Sequence, residues 1–403
     1  MSRGPRACGH SGVTPWPQET SRVALRRAER QLGSMSRPVS HRLRRSKGTP
    51  WQRSDRAVSV AEHWPVLIGS PTGTDRGQLA DVGFRTRAAA ADVPAALALA
   101  AELGHDLPAP GTGRTAQLWS ALATMAAVDL TVARALEPHL DALAILGQAG
   151  VPVGSGTWGV FAAEGPGEPL RATRLGSTYR LHGRKHWCSL AAVLDRALVS
   201  AWVGDVRQLF AVDLHDSGVT AVSGTWVARG LSALDSGPVD FEDVAAEPVG
   251  EPGWYLERPG FAWGGLGVAA IWFGGAVGVA RRLHASASNR SPDQVALMHL
   301  GAVDAELHAA RCVLEHAAAA LDAGELSGAT GSRAALRVRQ VVALAAEDVV
   351  RRAAHGLGPG PLATDEDHAR RVADLDLYLR QWHAERDQAS LGRDLTDPAV
   401  APW

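Results

Sequence analysis

Twenty consecutive residues without a charge, Phe261 to Ala280 (FAWGGLGVAAIWFGGAVGVA), constrain this chain more than any other stretch. A helix of that length is long enough to cross a bilayer, and Gly274 and Gly278 have the spacing that lets two helices approach closely. The stretch also carries two adjacent glycine pairs and is followed at once by Arg281-Arg282. A helix that is apolar on every side must be buried, in lipid or in protein. Since no other span of this kind exists in the chain, the expectation is a central helix inside a soluble bundle and no membrane span.

The net charge of -1 hides two unlike parts. Residues 1–56 hold 13 Lys/Arg against Glu19, Glu29 and Asp55, a charge of +10, which leaves -11 on residues 57–403. Arg-rich arms bind phosphate, but this one has only Trp16 and Trp51 as aromatics and precedes no nucleic-acid-binding pattern. It lacks the apolar run of a secretory signal. It reads as a disordered or mis-annotated extension, and nucleic acid is not expected as a partner. The body, at ordinary globular composition, is long enough for two or three cores. Cys8, Cys188 and Cys312 show no C-x-x-C spacing, which excludes a disulfide scaffold and a zinc cluster and suits a reducing, cytoplasmic compartment.

The pattern along the body divides it into three. Residues 57–150 are helical: Asp92 precedes VPAALALAAELG as an N-cap with Pro94 in the first turn, and Leu140, Leu143 and Leu146 recur at helical spacing. Residues 151–258 hold short β-like runs at 157–162, 177–181, 197–203, 208–212 and 238–241, broken by Gly, Pro and Asp, which predict antiparallel strands in a small barrel or sandwich. Residues 259–403 are helical again, with helices expected at 261–284, 294–322, 333–355 and 366–391. The fold class is therefore α+β, mostly α: an N-terminal helical domain, a middle antiparallel β domain and a C-terminal four-helix bundle.

Several catalytic devices are missing. There is no P-loop, no H-E-x-x-H and no G-x-S-x-G elbow. Gly265-Leu-Gly267-Val-Ala-Ala270 approaches a dinucleotide fingerprint, but it has no preceding strand and no acid about twenty residues on, so it reads as helix packing.

The informative residues are Tyr179-Arg-Leu-His-Gly183-Arg-Lys185-His-Trp187-Cys-Ser189-Leu-Ala, with Phe161-Ala-Ala-Glu164 upstream and Val239-Asp-Phe241-Glu-Asp243-Val244 downstream. In order and spacing they resemble the middle domain of the acyl-CoA dehydrogenase family. The C-terminal part is similar too: Gln294 with Leu300 resembles a family helix, His355-Gly-Leu-Gly358 the glycine turn before the last long helix, and Asp374 the Asp of an Arg-Asp pair. The resemblance runs from about Val58 to Arg393.

Carried over residue by residue, it implies an FAD site. Trp187 would pack on the flavin ring, though taken alone it is an ordinary strand aromatic. Ser189 would sit at the edge of that ring, and Ala163 and Glu164 would meet its pyrimidine side through backbone groups. Arg282 or Arg290 would contact the pyrophosphate of a neighbouring subunit's FAD, with Gln294 and Gly358 in the same region. The resemblance also implies a homo-oligomer, or a hetero-oligomer with a homologue.

The catalytic base departs from the family. The usual Glu lies eight residues beyond the Asp of the pair, and Trp382 occupies that position. The alternative seat is on the first bundle helix, the uncharged span itself. Glu385 would be a displaced base. His383, four residues before Asp387, resembles the flavin monooxygenases built on the same fold. A solvated polar stripe accounts for the same residues. The leading expectation is an FAD-dependent oxidoreductase acting on CH–CH bonds of an acyl thioester. The alternatives are a flavin-dependent monooxygenase and a non-catalytic partner subunit of an active homologue.

Overall fold

The structure is a computed structural model and describes residues 64–70, 73–176, 178–288 and 291–400. The basic arm 1–56, residues 57–63 of the expected N-terminal domain, and Arg290 lie outside the described residues. Helices α1 (Gly73–Ala88), α2 (Val93–Asp106), α3 (Thr115–Val128) and α4 (Leu130–Ala149) come first. The Asp92 carboxylate accepts the Ala95 N–H at 3.1 Å, so the expected cap of α2 forms. Asp129 caps α4 in the same way and pairs with Arg370 at 2.8 Å.

Seven strands follow: β1 (Trp158–Phe161), β2 (Arg171–Leu175), β3 (Thr178–Lys185), β4 (Arg196–Val203), β5 (Val206–Asp213), β6 (Val219–Ala221) and β7 (Val239–Val249). Pairings β4–β2, β2–β3, β3–β7, β7–β5 and β5–β4 close a ring, with β1 on β4 and β6 on β7. The ring is a barrel, but it is mixed where the sequence predicts antiparallel strands: β1 and β2 both pair with β4 in parallel. β2 escaped the sequence pattern because only Ala172 of its five residues is buried. β7 runs longer than expected because Glu242, Asp243 and Glu247 are exposed while Val239, Phe241, Val244, Ala246 and Val249 are buried.

The C-terminal part holds the short α5 (Trp254–Glu257), the long helices α6 (Gly260–Ser288), α7 (Gln294–Asp322) and α8 (Gly328–Leu357), the short α9 (Pro359–Thr364), α10 (Glu366–Leu379) and α11 (Glu385–Leu395). The uncharged span is the core of α6. Among the described residues α6 is the one helix long and apolar enough to cross a membrane, and two-thirds of its apolar window is buried by protein. Its glycines explain how. A Cβ on Gly274 would lie 2.2 Å from the Ala123 carbonyl oxygen of α3, and one on Gly278 would lie 2.8 Å from that of Ala127. The Gly-x-x-x-Gly spacing therefore serves a contact between α6 and α3 within the protein.

The expected last helix, 366–391, breaks in two. α10 ends at Leu379, the chain turns through Arg380–Ala384 with Ala384 at φ 46°, and α11 starts at Glu385. His383 and Asp387 thus do not share one helix face. Asp374 ties α10 to the other parts: its buried carboxylate accepts the Leu231 N–H at 2.6 Å and the Thr131 hydroxyl at 3.1 Å.

Two glycine variants separate close packing from helix propensity. Gly274→Ala should destabilise the protein by roughly 1–3 kcal/mol or more, because backbone must move to admit the methyl. Gly301→Ala, on α7 with nothing within 4 Å of its Cβ, should stabilise it by about 0.5–1 kcal/mol. Urea unfolding of the two variants measures both, and opposite signs are expected.

Candidate functional site

The β barrel, α4 and the α10–α11 connection enclose a cavity of about 640 Å³. This is within the size range of small-molecule and cofactor sites. From the barrel come Ala162, Ala163 and Glu164 after β1, and Trp187 and Ser189 after β3; from the 226–236 loop come Trp226, Leu231, Leu234 and Ser236. α4 supplies Arg134, Glu137 and Asp141, and the end of α10 with its following turn supplies Tyr378, Arg380, Gln381 and His383.

Trp187 is 58% exposed despite its size, and it sits at φ 61°, a backbone conformation that is uncommon for a bulky residue. The turn is anchored from below, where the Cys188 N–H donates to Gly237 O at 3.1 Å and the Leu190 N–H to Asp235 O at 2.7 Å. Burial pushes the Cys188 thiol up to about 12, so it is no nucleophile at neutral pH. Ser189 shares a 2.8 Å hydrogen bond with Ser236 and accepts from Arg134 Nη2 at 3.4 Å.

The wall at Ala162–Glu164 is held by a buried cation that sequence reasoning quoted without giving it a role. Lys185 Nζ, on a side chain only 2% exposed, donates to Glu164 at 2.9 Å and to Ser200 Oγ at 2.9 Å. Arg207 adds a 3.1 Å contact to Glu164 and donates to the Ala162 carbonyl at 2.6 Å. Glu164 is thereby engaged by two cations. Burial lowers the Lys185 pKa, and Glu164 partly offsets that.

Sequence reasoning missed Glu137 altogether. It lies beside Pro138 in the middle of α4, and nothing in its local pattern marks it. In the fold it borders the main cavity and also a smaller one of about 130 Å³, lined by Leu107, Leu118, Trp119, Leu122, Leu140 and Trp263. Burial pushes its carboxyl up to about 7, with Arg134 opposing and Asp141 reinforcing the shift. Asp141, one turn on, is raised for the same reason.

Of the residues read from the sequence, Ala163, Glu164, Trp187, Ser189 and His383 come together around the main cavity. Among the described residues Glu385 does not line it; it is the exposed first residue of α11. Trp382, at the family's usual base position, is buried. The His383 N–H donates to Asp387 at 3.2 Å, and its ring Nδ1 is 3.4 Å from the same carboxylate, which leaves Nε2 for another partner. Arg282 lies about 21 Å along α6 from the cavity residue Val268 and is paired with Asp365 at 2.8 Å. Gln294 opens α7 and Gly358 caps α8 at φ 68°. Neither lines the cavity.

A three-part fold with a cavity between a β barrel and a helical bundle defines the acyl-CoA dehydrogenase-like architecture. Residues 253–379 match the family model of the acyl-CoA dehydrogenase C-terminal domain. Butyryl-CoA dehydrogenase from Megasphaera elsdenii superposes with a TM-score of 0.69 at 18% identity, over 81% of this chain and 99% of that one. TdsC from Paenibacillus sp. A11-2, solved with FMN and indole, gives 0.68 at 16% identity, over 82% and 99%. Nitrososynthase from Micromonospora carbonacea var. africana gives 0.66 at 18%, over 83% and 98%. No curated protein sequence matches the chain. The fold is therefore that of the acyl-CoA dehydrogenase-like proteins, and residues 253–379 match that family's C-terminal domain.

The raised carboxyl of Glu137 has a consequence for stability. An unfolded Glu ionises near 4.5, whereas the folded one keeps its proton up to about 7. Its contribution to stability is therefore fully present below 4.5 and is lost as pH rises through 7. Glu137→Gln should match the parent in acid and exceed it by about 3 kcal/mol above neutral pH. Thermal melts across pH read this difference.

Proposed function

We propose that the protein is a flavin-dependent oxidoreductase whose flavin ring lies in the main cavity against Trp187. The carrying observation is that broad indole, left mostly exposed on the cavity wall by a strained and well-anchored turn. Around it the cavity offers what a planar, polar-edged ring needs: backbone at Ala163 and Glu164, locked by Lys185 and Arg207, and the Ser189 hydroxyl. The buried Tyr378 hydroxyl, without a hydrogen-bond partner among the described residues, also faces this space. A bound flavin supplies the two-electron redox chemistry that the protein's own side chains lack.

The chain's residues hold, orient and shield. Trp187 provides the stacking plane, and the Arg134–Ser189–Ser236 chain fixes a hydroxyl at the cavity edge. Arg339, which donates to Gly265 O and Gln381 O at 2.9 Å each, fixes the turn that carries His383. Arg282, Gln294 and Gly358 lie too far along the bundle to reach a ring in the same cavity, so for FAD they would serve a neighbouring copy. That is the basis for proposing an oligomer.

Within this class the geometry favours a monooxygenase-type reaction with His383 at the cavity. The carboxylates expected at the family's positions are replaced by buried Trp382 and the uncharged 261–280 span of α6, and Glu385 lies outside the cavity. TdsC, whose structure was solved with FMN and indole, gives that reading a structural parallel. Acyl-thioester dehydrogenation is the second reading, favoured by the small apolar chamber beside Glu137, which would accept an acyl chain.

Purified protein, or protein mixed with FAD or FMN, should show a bound-flavin absorption spectrum. A protein that stays colourless with both excludes the enzyme readings and leaves the partner-subunit alternative. With flavin bound, oxygen uptake on indole in the presence of an external flavin reductase supports the first reading. Anaerobic bleaching by butyryl-CoA supports the second.

A further inference from the structure

We propose that Glu137 is the proton acceptor of the cavity, taking the proton from the substrate atom that is deprotonated during the reaction. Neither position where the family resemblance puts a base carries a carboxylate, yet this one stands in the wall, on a different helix and from a different part of the chain. Its side chain is 15% exposed and borders both the main cavity and the apolar chamber beyond it. A substrate whose apolar end occupied the chamber would pass Glu137 on the way.

The neighbours suit proton transfer. Arg134 Nη1 lies 3.5 Å from the carboxylate, an ion pair looser than a hydrogen-bonded one, and that nitrogen is buried with no hydrogen-bond partner among the described residues. The Tyr378 ring lies beneath the same guanidinium, 5.7 Å from its centre, and its hydroxyl is unpartnered too. Pro138 has no N–H to give the Arg134 carbonyl, so α4 lacks one backbone hydrogen bond at this turn while the helix itself continues. Two unpartnered donors beside a buried carboxylate mark a place where a ligand completes the hydrogen bonding.

The charged and titratable groups facing Glu137 are Arg134 and Asp141 from α4, Arg339 from α8 and Tyr378 from α10. Burial outweighs the two arginines, so the carboxyl exchanges its proton near neutral pH, where a general base is most effective. In the step, a substrate X–H bond breaks with its electron pair remaining on X, and an O–H bond forms on Glu137. No electron leaves the substrate in this step, and no co-reactant is consumed. The substrate class is a weak acid, with an O–H, an N–H or a C–H beside a carbonyl, carrying an apolar end. The inference rests on the flavin reading only for the oxidation that follows.

Infrared difference spectra of the full chain, titrated from acid to mildly alkaline pH, test the group directly. A protonated-carboxyl band should vanish with a midpoint near 7 and be missing in Glu137→Gln. A midpoint in the ordinary carboxylate range overturns the proposal. With flavin bound, the rate on whichever of indole or butyryl-CoA turns over should rise through the same midpoint. It should fall about 100-fold or more in Glu137→Gln, while Glu137→Asp keeps a displaced pH limb and part of the rate. A folded Glu137→Gln protein with unchanged rate and pH limb overturns it. If neither probe turns over, the infrared midpoint decides. A colourless protein is a separate result that removes the flavin reading and leaves the infrared titration standing.

Discussion

The close approach of α6 to α3 sets the position of everything around it. Gly274 and Gly278 bring the two backbones together where any side chain would collide with the Ala123 and Ala127 carbonyls. With α6 so placed, Gly275 admits Leu375 of α10, and Trp272 meets the edge of Tyr378 at a centroid distance of 6.2 Å. The guanidinium of Arg339 lies 4.6 Å over the same indole and reaches on to the Gln381 carbonyl. The cavity wall made by Tyr378, Gln381 and His383 therefore hangs on the apolar 261–280 span of α6. Asp374 performs the matching task toward the β barrel, through Leu231 and Thr131.

Around the cavity, charges are buried in two different ways. Lys185 donates a 2.9 Å hydrogen bond to Glu164, with Arg207 and Ser200 completing the set, and together they fix the backbone at Ala162–Glu164. Glu137 and Asp141 have arginines nearby but at 3.5 and 3.8 Å, too far to offset the loss of water. Their carboxyls are held above the ordinary range. The same residue types thus give a scaffold on one side and a proton-exchanging surface on the other.

How much of this was legible in the sequence depended on whether the signal was local. The order of helical, β and helical parts followed from periodicity and turn residues. The buried fate of α6 followed from its being the one uncharged span. β2, a strand with one buried residue, has no period to detect, and the parallel pairing of β1 and β2 with β4 is a matter of topology. The break before α11 was masked because Leu375, Leu379 and Trp382 keep helical spacing across it. The motif around Lys185, Trp187 and Ser189 placed those residues together with Ala163 and Glu164. Glu137 was invisible, because its neighbours in the fold come from α8 and α10, more than two hundred residues away.

The flavin ring is proposed to sit on the exposed face of Trp187. Titrating the full chain into FMN and, separately, FAD while following flavin fluorescence tests it most directly. Saturable quenching by the parent protein that is weakened about 5- to 150-fold in Trp187→Ala is the predicted result, since stacking on an aromatic is worth about 1–3 kcal/mol. Quenching of equal affinity in Trp187→Ala, or none in either protein, would contradict it.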